Sequence, residues 1–450
     1  MRGGGGPSLD EVTRRHHQLR ELLALPDLRR LLAVRLAGQL GDGLFQTALI
    51  LVVFFDPSDA TSAAQAATAF AVLLLPFSLV APFAGVFLDR WRRQRVLRNA
   101  NLVRGLLVAV TAAALAGLGS DALLVQGLAL VVISTNRFVL SALSAALPHV
   151  VEERQLVTAN SLTTTLGGGA FTLGAAGATA VRPLFGDGQV GGARTSLVAA
   201  AVYCGAALLA SRIAADLLGP DHRPTQALRE AMVHVARGVR QGARHVRERG
   251  QAFRALAAIS AHRFFYGLST VATLLLYTSE GYLGRQFDDG GGFGGLVAVG
   301  GTTVLGGLSA ALVTPGVARR IGTQRWMVVL FATASTAQLV FGLPFTHRSF
   351  LVAAFLLGFA AQAAKICVDT LLQESVDDDF RGRVFSFYDT LFNLSFVAAA
   401  AAAAFLLPED GRSYLVAGLV AAGYAVTAVA YAVMTARRAD EEPVEPVIAT

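Results

Sequence analysis

Lysine is almost missing from this chain: of 450 residues with 38 basic side chains, only position 365 is a lysine. The phosphate-binding loop of an ATP-driven pump ends in Gly-Lys-Ser or Gly-Lys-Thr, and Lys365 follows Ala364, so direct ATP coupling within the chain is excluded. Cysteine is nearly as rare. Both cysteines, Cys204 and Cys367, lie inside apolar runs, where they suit neither a disulfide nor a metal site, and no redox role follows. The apolar runs hold no His-x-x-x-His pair, no Gly-x-Ser-x-Gly elbow and no acidic cluster suited to a metal. These absences argue against an intramembrane enzyme and call for no cofactor.

Charge is scarce too, at 15% of residues against 54% hydrophobic, and the mean hydropathy is +0.54. That balance describes a polytopic membrane protein and rejects a soluble globular one. A net charge of +7 would suit nucleic acid, but the basic residues fall in short segments between apolar runs, so nucleic-acid binding is not expected.

What is present is a series of long apolar segments. They run at about 31–55, 64–88, 96–119, 122–147, 157–181, 195–218, 255–278, 293–317, 326–345, 350–375, 384–407 and 413–436. A spanning helix needs about 20 residues. Twelve spans put both termini on one side, and Arg concentrates in alternate connections, which places the termini in the cytoplasm. Residues 1–30 then read as a cytoplasmic lead-in retained without signal cleavage, with a short interfacial helix near 8–25. The tail 437–450, with Glu441-Glu-Pro-Val-Glu-Pro, reads as a disordered cytoplasmic end.

The longest connection divides the series into six-span halves at 31–218 and 255–436. Between them, 219–254 is a basic linker with helical character, carrying Arg223, Arg229, Arg237, Arg240, Arg244, Arg247 and Arg249. It reads as a joint between two bundles, with a lipid-binding or regulatory role as the alternative. The halves echo each other: Val151–Leu162 matches Val376–Phe387, and the basic turn after Leu88 matches Ala318–Arg325. Two such halves imply a cavity between them.

Polar residues inside a span are costly and face a bundle interior or a water path. On the first span Arg35, Gln39, Asp42 and Gln46 share one helical face; on the fourth, Ser134, Arg137, Ser141 and Ser144 do so. On the seventh, His262, Tyr266, Ser269, Thr273 and Tyr277 form a stripe with Arg263 beside it, and on the tenth Gln362, Lys365, Asp369 and Gln373 form another. A carboxyl at mid-membrane is a candidate proton carrier, because desolvation disfavours its charged form. Asp42 fits that role, with Arg137 biasing its protonation; the alternative is a permanent pair of Asp42 with Arg137 or another cation. Lys365 and Asp369 stand i,i+4, which allows structural pairing on one helix as readily as contact with substrate or proton. His262 reads as a helix-packing residue rather than a relay.

The densest charge is Gly85-Val-Phe-Leu-Asp-Arg-Trp-Arg-Arg-Gln-Arg95, between the second and third spans. With its Gly85, Asp89, Arg90, Arg93 and Arg95, it resembles the loop between helices two and three of the major facilitator superfamily. The resemblance covers about 30–436. It implies an all-α fold of twelve transmembrane helices in two pseudo-symmetric six-helix bundles, with spans one and four of each half lining a central cavity. It also implies a gating latch, carried here by Gly85, Asp89, Arg90 and Arg93, by their counterparts Arg319 and Arg320, and by Arg383 and Asp389 at the eleventh span. Without these partners, Arg90 to Arg95 would serve only as topology anchors.

Two further segments look like exporters of that family. Ile133-Ser-Thr-Asn-Arg137 is similar to the embedded-Arg motif of proton-coupled drug exporters, with Leu140 and Ser141 replacing its Gln and Gly. Asp377–Phe387 resembles the branch of macrolide and siderophore exporters of bacteria. The fifth-span glycines Gly167, Gly168, Gly169, Gly174 and Gly177 lack the Gly-Pro step of antiporters, and read as close helix packing. The resemblance thus implies a monomeric transporter in the bacterial plasma membrane, exporting small amphipathic molecules against protons. Uptake, facilitated transport or a non-transporting sensor on the same scaffold are the alternatives.

Overall fold

A computed structural model describes residues 21–55, 90–120, 123–152, 155–186, 188–219, 228–278, 281–287, 292–376 and 378–441, with isolated positions between 64 and 88. Among the described residues the regular structure is all helical: α1 (Pro26–Phe55), α2 (Arg93–Leu118), α3 (Leu123–Ala146), α4 (Leu156–Phe185), α5 (Gly188–Ser211), α6 (Leu228–Glu248), α7 (Gly250–Leu276), α8 (Phe293–Ile321), α9 (Thr323–Ala337), α10 (His347–Ser375), α11 (Asp378–Leu406) and α12 (Tyr414–Glu441). The second expected span, 64–88, lies mostly outside the described residues, as do the lead-in before residue 21 and the tail after 441.

Eight of these helices are long and apolar enough to cross a membrane. Their outer faces carry exposed Leu106, Leu123, Leu312, Phe405 and Val426. Water would penalise such a surface, whereas hydrocarbon accepts it, and a helix satisfies its own backbone polar groups there. The helices end where glycine or polar chemistry interrupts the ladder. Gly119 follows α2 at φ 87°, Gly322 separates α8 from α9 at φ 90°, and the hydroxyl of Thr346 caps α10 by accepting from the Ser349 amide at 3.3 Å.

The sixth apolar run sits seven residues earlier than hydropathy places it, at Gly188–Ser211 instead of 195–218. Arg194 marks a boundary in the sequence, yet its guanidinium reaches back to donate to the Phe185 carbonyl at 2.9 Å. An Arg near a helix end is tolerated when its head leaves the apolar region and finds an acceptor.

The chain forms two compact units that change over between Val233 and His234, inside α6. In the first, α1 packs on α4 and α5, and α2 runs along α5 and α3. Its core joins Leu28, Leu31, Val34, Leu97, Val139 and Leu143. In the second, α8 lies along α10, α7 along α11, and α9 along α12. One of its clusters gathers Tyr277, Leu283, Val299, Phe345 and Phe350.

Candidate functional site

In the first unit the sequence around Asp42 is Gly41-Asp42-Gly43, and both glycines are used for close approach. A Cβ at Gly41 would stand 2.8 Å from the ring of Tyr203, and one at Gly43 would collide with the Phe171 carbonyl of α4. Gly174 makes the reciprocal approach to the Leu40 carbonyl, whereas a Cβ at Gly168 or Gly169 would meet nothing within 4 Å. Small residues therefore bring the α1 and α4 backbones together at Gly174 and at Gly43, next to Asp42 in the chain.

On the carboxylate itself, Arg104 Nη2 of α2 donates to Asp42 Oδ1. The Tyr203 hydroxyl of α5 donates to the same oxygen at 3.0 Å, the Arg104 guanidinium lies 4.0 Å from the centre of the Tyr203 ring, and its Nη1 donates to Asn101 at 3.2 Å. The side chains of Arg104 and Asp42 are 0% and 4% exposed. Asn136 and Arg137 of α3 lie alongside. Periodicity offers Arg137 as the partner of Asp42, but the bonded cation is Arg104, because helical spacing shows which residues share a face and not which helix lies opposite. The signal was present as Asn101-x-x-Arg104, in which Arg104 is the charged residue that reaches farthest into the third apolar run, past Arg98 and Asn99. Of the other α1 residues, Gln46 is half-buried, and Arg35 bonds Gln39 at 3.5 Å and Thr163 at 3.4 Å.

The second unit arranges its charges differently. Helices α7, α8, α10 and α11 enclose an open cavity of about 450 Å³ lined by Arg263, Tyr266, Thr303, Gln362, Lys365 and Phe392, among others. Lys365 Nζ donates to Asp369 Oδ2 at 2.8 Å, and these side chains are 40% and 31% exposed. The pair forms within one helix, so no neighbouring helix is needed to hold it. Asp389, which the sequence groups with the gate, stands beside Lys365 and Asp369, with the Tyr388 ring 5.5 Å from the Lys365 ammonium. The guanidinium of Arg263 rests over Phe392 at 4.3 Å and Phe396 at 4.6 Å.

His262 is 1% exposed among the rings of Tyr266, Phe331 and Tyr424, at 5.9, 5.9 and 5.4 Å. The α7 stripe divides accordingly: Arg263 and Tyr266 reach the cavity, Ser269 bonds Gln338, and Tyr277 bonds His347. Of the expected gating residues, Gly85 and Asp89 lie outside the described residues and Arg90 is half-buried. Arg93 Nη1 donates to the Ala145 carbonyl at 2.9 Å and the Leu218 carbonyl at 3.2 Å, which joins the start of α2 to the last turn of α3 and to the segment after α5. Arg319 and Arg320 are exposed at the end of α8. Arg383 donates to Gln241 of α6 at 3.1 Å.

Comparison with known proteins places these sites in a family. The sequence profile of the Major Facilitator Superfamily matches residues 31–400 and 304–449. The chain is 38% identical over 394 residues to an uncharacterized MFS-type transporter of Mycobacterium bovis and to another of Mycobacterium tuberculosis, covering 88% of this chain and 88% of each relative. Among solved structures, the POT family transporter PepTSo aligns at a TM-score of 0.65 with 11% identity, covering 93% of this chain and 99% of that one. The nucleoside transporter NupG aligns at 0.63 with 13% identity, covering 91% and 99%. At such identities these two likenesses speak for the fold alone, while the profile and the mycobacterial relatives speak for descent. An all-α protein with lipid-facing helices, matched by that profile across most of its length, belongs to the Major Facilitator Superfamily and is a multi-pass membrane transporter.

Proposed function

We propose that the protein exports small amphipathic molecules by proton antiport, with alternating access, across the bacterial plasma membrane, and with both termini in the cytoplasm. The observation that carries this reading is the half-exposed Lys365–Asp369 pair, whose Lys365 lines an open cavity of about 450 Å³ with a part cationic and part aromatic wall. An amphipathic guest needs that mixture: apolar walls for its body and a few polar groups to orient it.

Asp369 is better suited to carry the proton than Asp42. A carrier must meet water on each side in turn, and Asp369 is 31% exposed while Asp42 is sealed against Arg104. Protonation of Asp369 from outside removes its charge, frees Lys365 and weakens the hold on the guest, which leaves. The protonated carrier then turns inward and loses the proton to the cytoplasm, so the proton gradient drives export. Asp42, Arg104 and Tyr203 hold the first unit together during that movement. Gly85, Asp89, Arg90, Arg93, Arg319, Arg320 and Arg383 serve as the gate. The mycobacterial source of the relatives supports a bacterial membrane.

The test is accumulation of labelled macrolides, siderophores and cationic dyes in an efflux-deficient bacterium expressing the wild type, Asp369→Asn or Asp42→Asn, with and without a protonophore. Lower accumulation with the wild type, abolished by the protonophore or by Asp369→Asn at an unchanged level of folded protein, is the expected result, and any loss with Asp42→Asn should follow a fall in folded protein, because that change strands Arg104. An unchanged level for every compound would overturn export. Loss with Asp42→Asn but not Asp369→Asn, at equal levels of folded protein, would move the carrier to the first unit.

A further inference from the structure

The sequence of α6 places its arginines on one side. At 100° per residue, Arg229, Arg237, Arg240, Arg244 and Arg247 fall within a single arc, and all five are exposed. The opposite stripe, Gly238, Gly242 and Val246, is buried, and what buries it is the start of α11. A Cβ at Gly242 would stand 2.8 Å from the Arg383 carbonyl, the His245 ring stacks on Phe380 at 4.4 Å and 4°, and Arg383 donates to Gln241. Packing thus fixes the rotation of the helix and points its basic arc away from the protein. Of the two acidic residues of α6, Glu248 is bonded to Arg244 at 2.9 Å.

The position of that arc follows from chain continuity. Only Arg249 separates α6 from α7, at an extended φ −97°, ψ 91° that turns the chain between them. The last arginine of the arc, Arg247, therefore stands three residues before a helix whose Phe253 is exposed. Cations so close to an exposed apolar side chain suit the boundary between hydrocarbon and acidic headgroups.

We infer that the basic face of α6 is a docking surface for acidic phospholipid headgroups. Lipid bound there clamps α6 onto the first two turns of α11, the segment that carries Phe380 and Arg383. The occupant is a lipid and not a soluble acidic protein because α7, the helix of the seventh apolar run, begins three residues after Arg247 and exposes Phe253 close by, and because a row of long cations matches a surface of acidic headgroups.

The test is hydrogen exchange of residues 234–249 in the full-length protein, in nanodiscs of phosphatidylcholine with or without phosphatidylglycerol. Phosphatidylglycerol should slow exchange in α6 by about tenfold, and salt at about 0.5 M should reverse this, because it shortens the screening length to a few ångströms. Joint replacement of Arg237, Arg240, Arg244 and Arg247 by Gln should abolish the response. The same four positions changed to Lys should keep it, and unchanged protection in α10 shows that either variant is folded. Equal exchange in the two lipids, or a response that survives in the Gln variant, would overturn the inference. So would soluble polyglutamate protecting α6 in phosphatidylcholine as well as phosphatidylglycerol does, which would point to an acidic protein partner.

Discussion

Each unit carries a buried-to-half-buried carboxylate bonded to a cation, and the two pairs are built in opposite ways. Asp42 takes its cation from α2 and a hydroxyl from α5, so the bonds exist only when three helices are assembled. Asp369 takes its cation from its own helix, one turn away, and stays 31% exposed. The first arrangement costs several kcal/mol of desolvation per ion and recovers it only through exact pairing, so it holds helices in place and cannot be disturbed cheaply. The second is worth little to stability, so its protonation can change without unfolding anything. A charge at mid-membrane thus takes its role from whether its partner is distant or local in sequence, and from whether water reaches it.

The largest effect should follow from Arg104→Leu, which strands Asp42 in a sealed site. A loss of about 3–5 kcal/mol in unfolding free energy is expected, and adding Asp42→Leu should recover most of it, because the uncompensated charge is then gone. A thermal unfolding series on the purified single and double variants checks this, and additive losses would break the contrast between the units. Tyr203→Phe removes one hydrogen bond to a charged group and should cost about 1.5–3 kcal/mol in the same assay. Gly174→Leu drives a side chain into the Leu40 carbonyl and should cost about 1–3 kcal/mol, whereas Gly168→Ala on the same helix should be neutral or stabilise by up to about 1 kcal/mol. Asp369→Asn should lower stability by less than about 1 kcal/mol, although proton-driven transport should be lost. A large fall in melting temperature for Asp369→Asn would place the second pair in the same structural class as the first.

Much of the helical framework was legible in the residues because a membrane imposes one rule everywhere: about 20 apolar positions, a closed backbone ladder and charge at the ends. The runs at 96–119, 293–317 and 350–375 fall within helices α2, α8 and α10 for that reason. The same rule misplaced α5, where hydropathy treated Arg194 as a boundary while the folded chain turns its head to a carbonyl. The Lys365–Asp369 pair could be read directly, since i,i+4 spacing is a local distance.

The partner of Asp42 could not be read in that way. Periodicity orders side chains around one axis, but the neighbour of that axis is chosen by packing, here by glycines at 43 and 174 that bring α1 against α4 and by Tyr203 of α5 that stacks on Arg104. Asp389 tells the same lesson in the second unit, because its distance to Lys365 crosses from α11 to α10. The sequence by itself determined which segments are helical, which face of each is polar and which pairs form within a helix, since these depend on spacing along one chain segment. Only the tertiary structure decided which charges meet across helices and which of them remain open to water, because both depend on how closely separate helix surfaces approach.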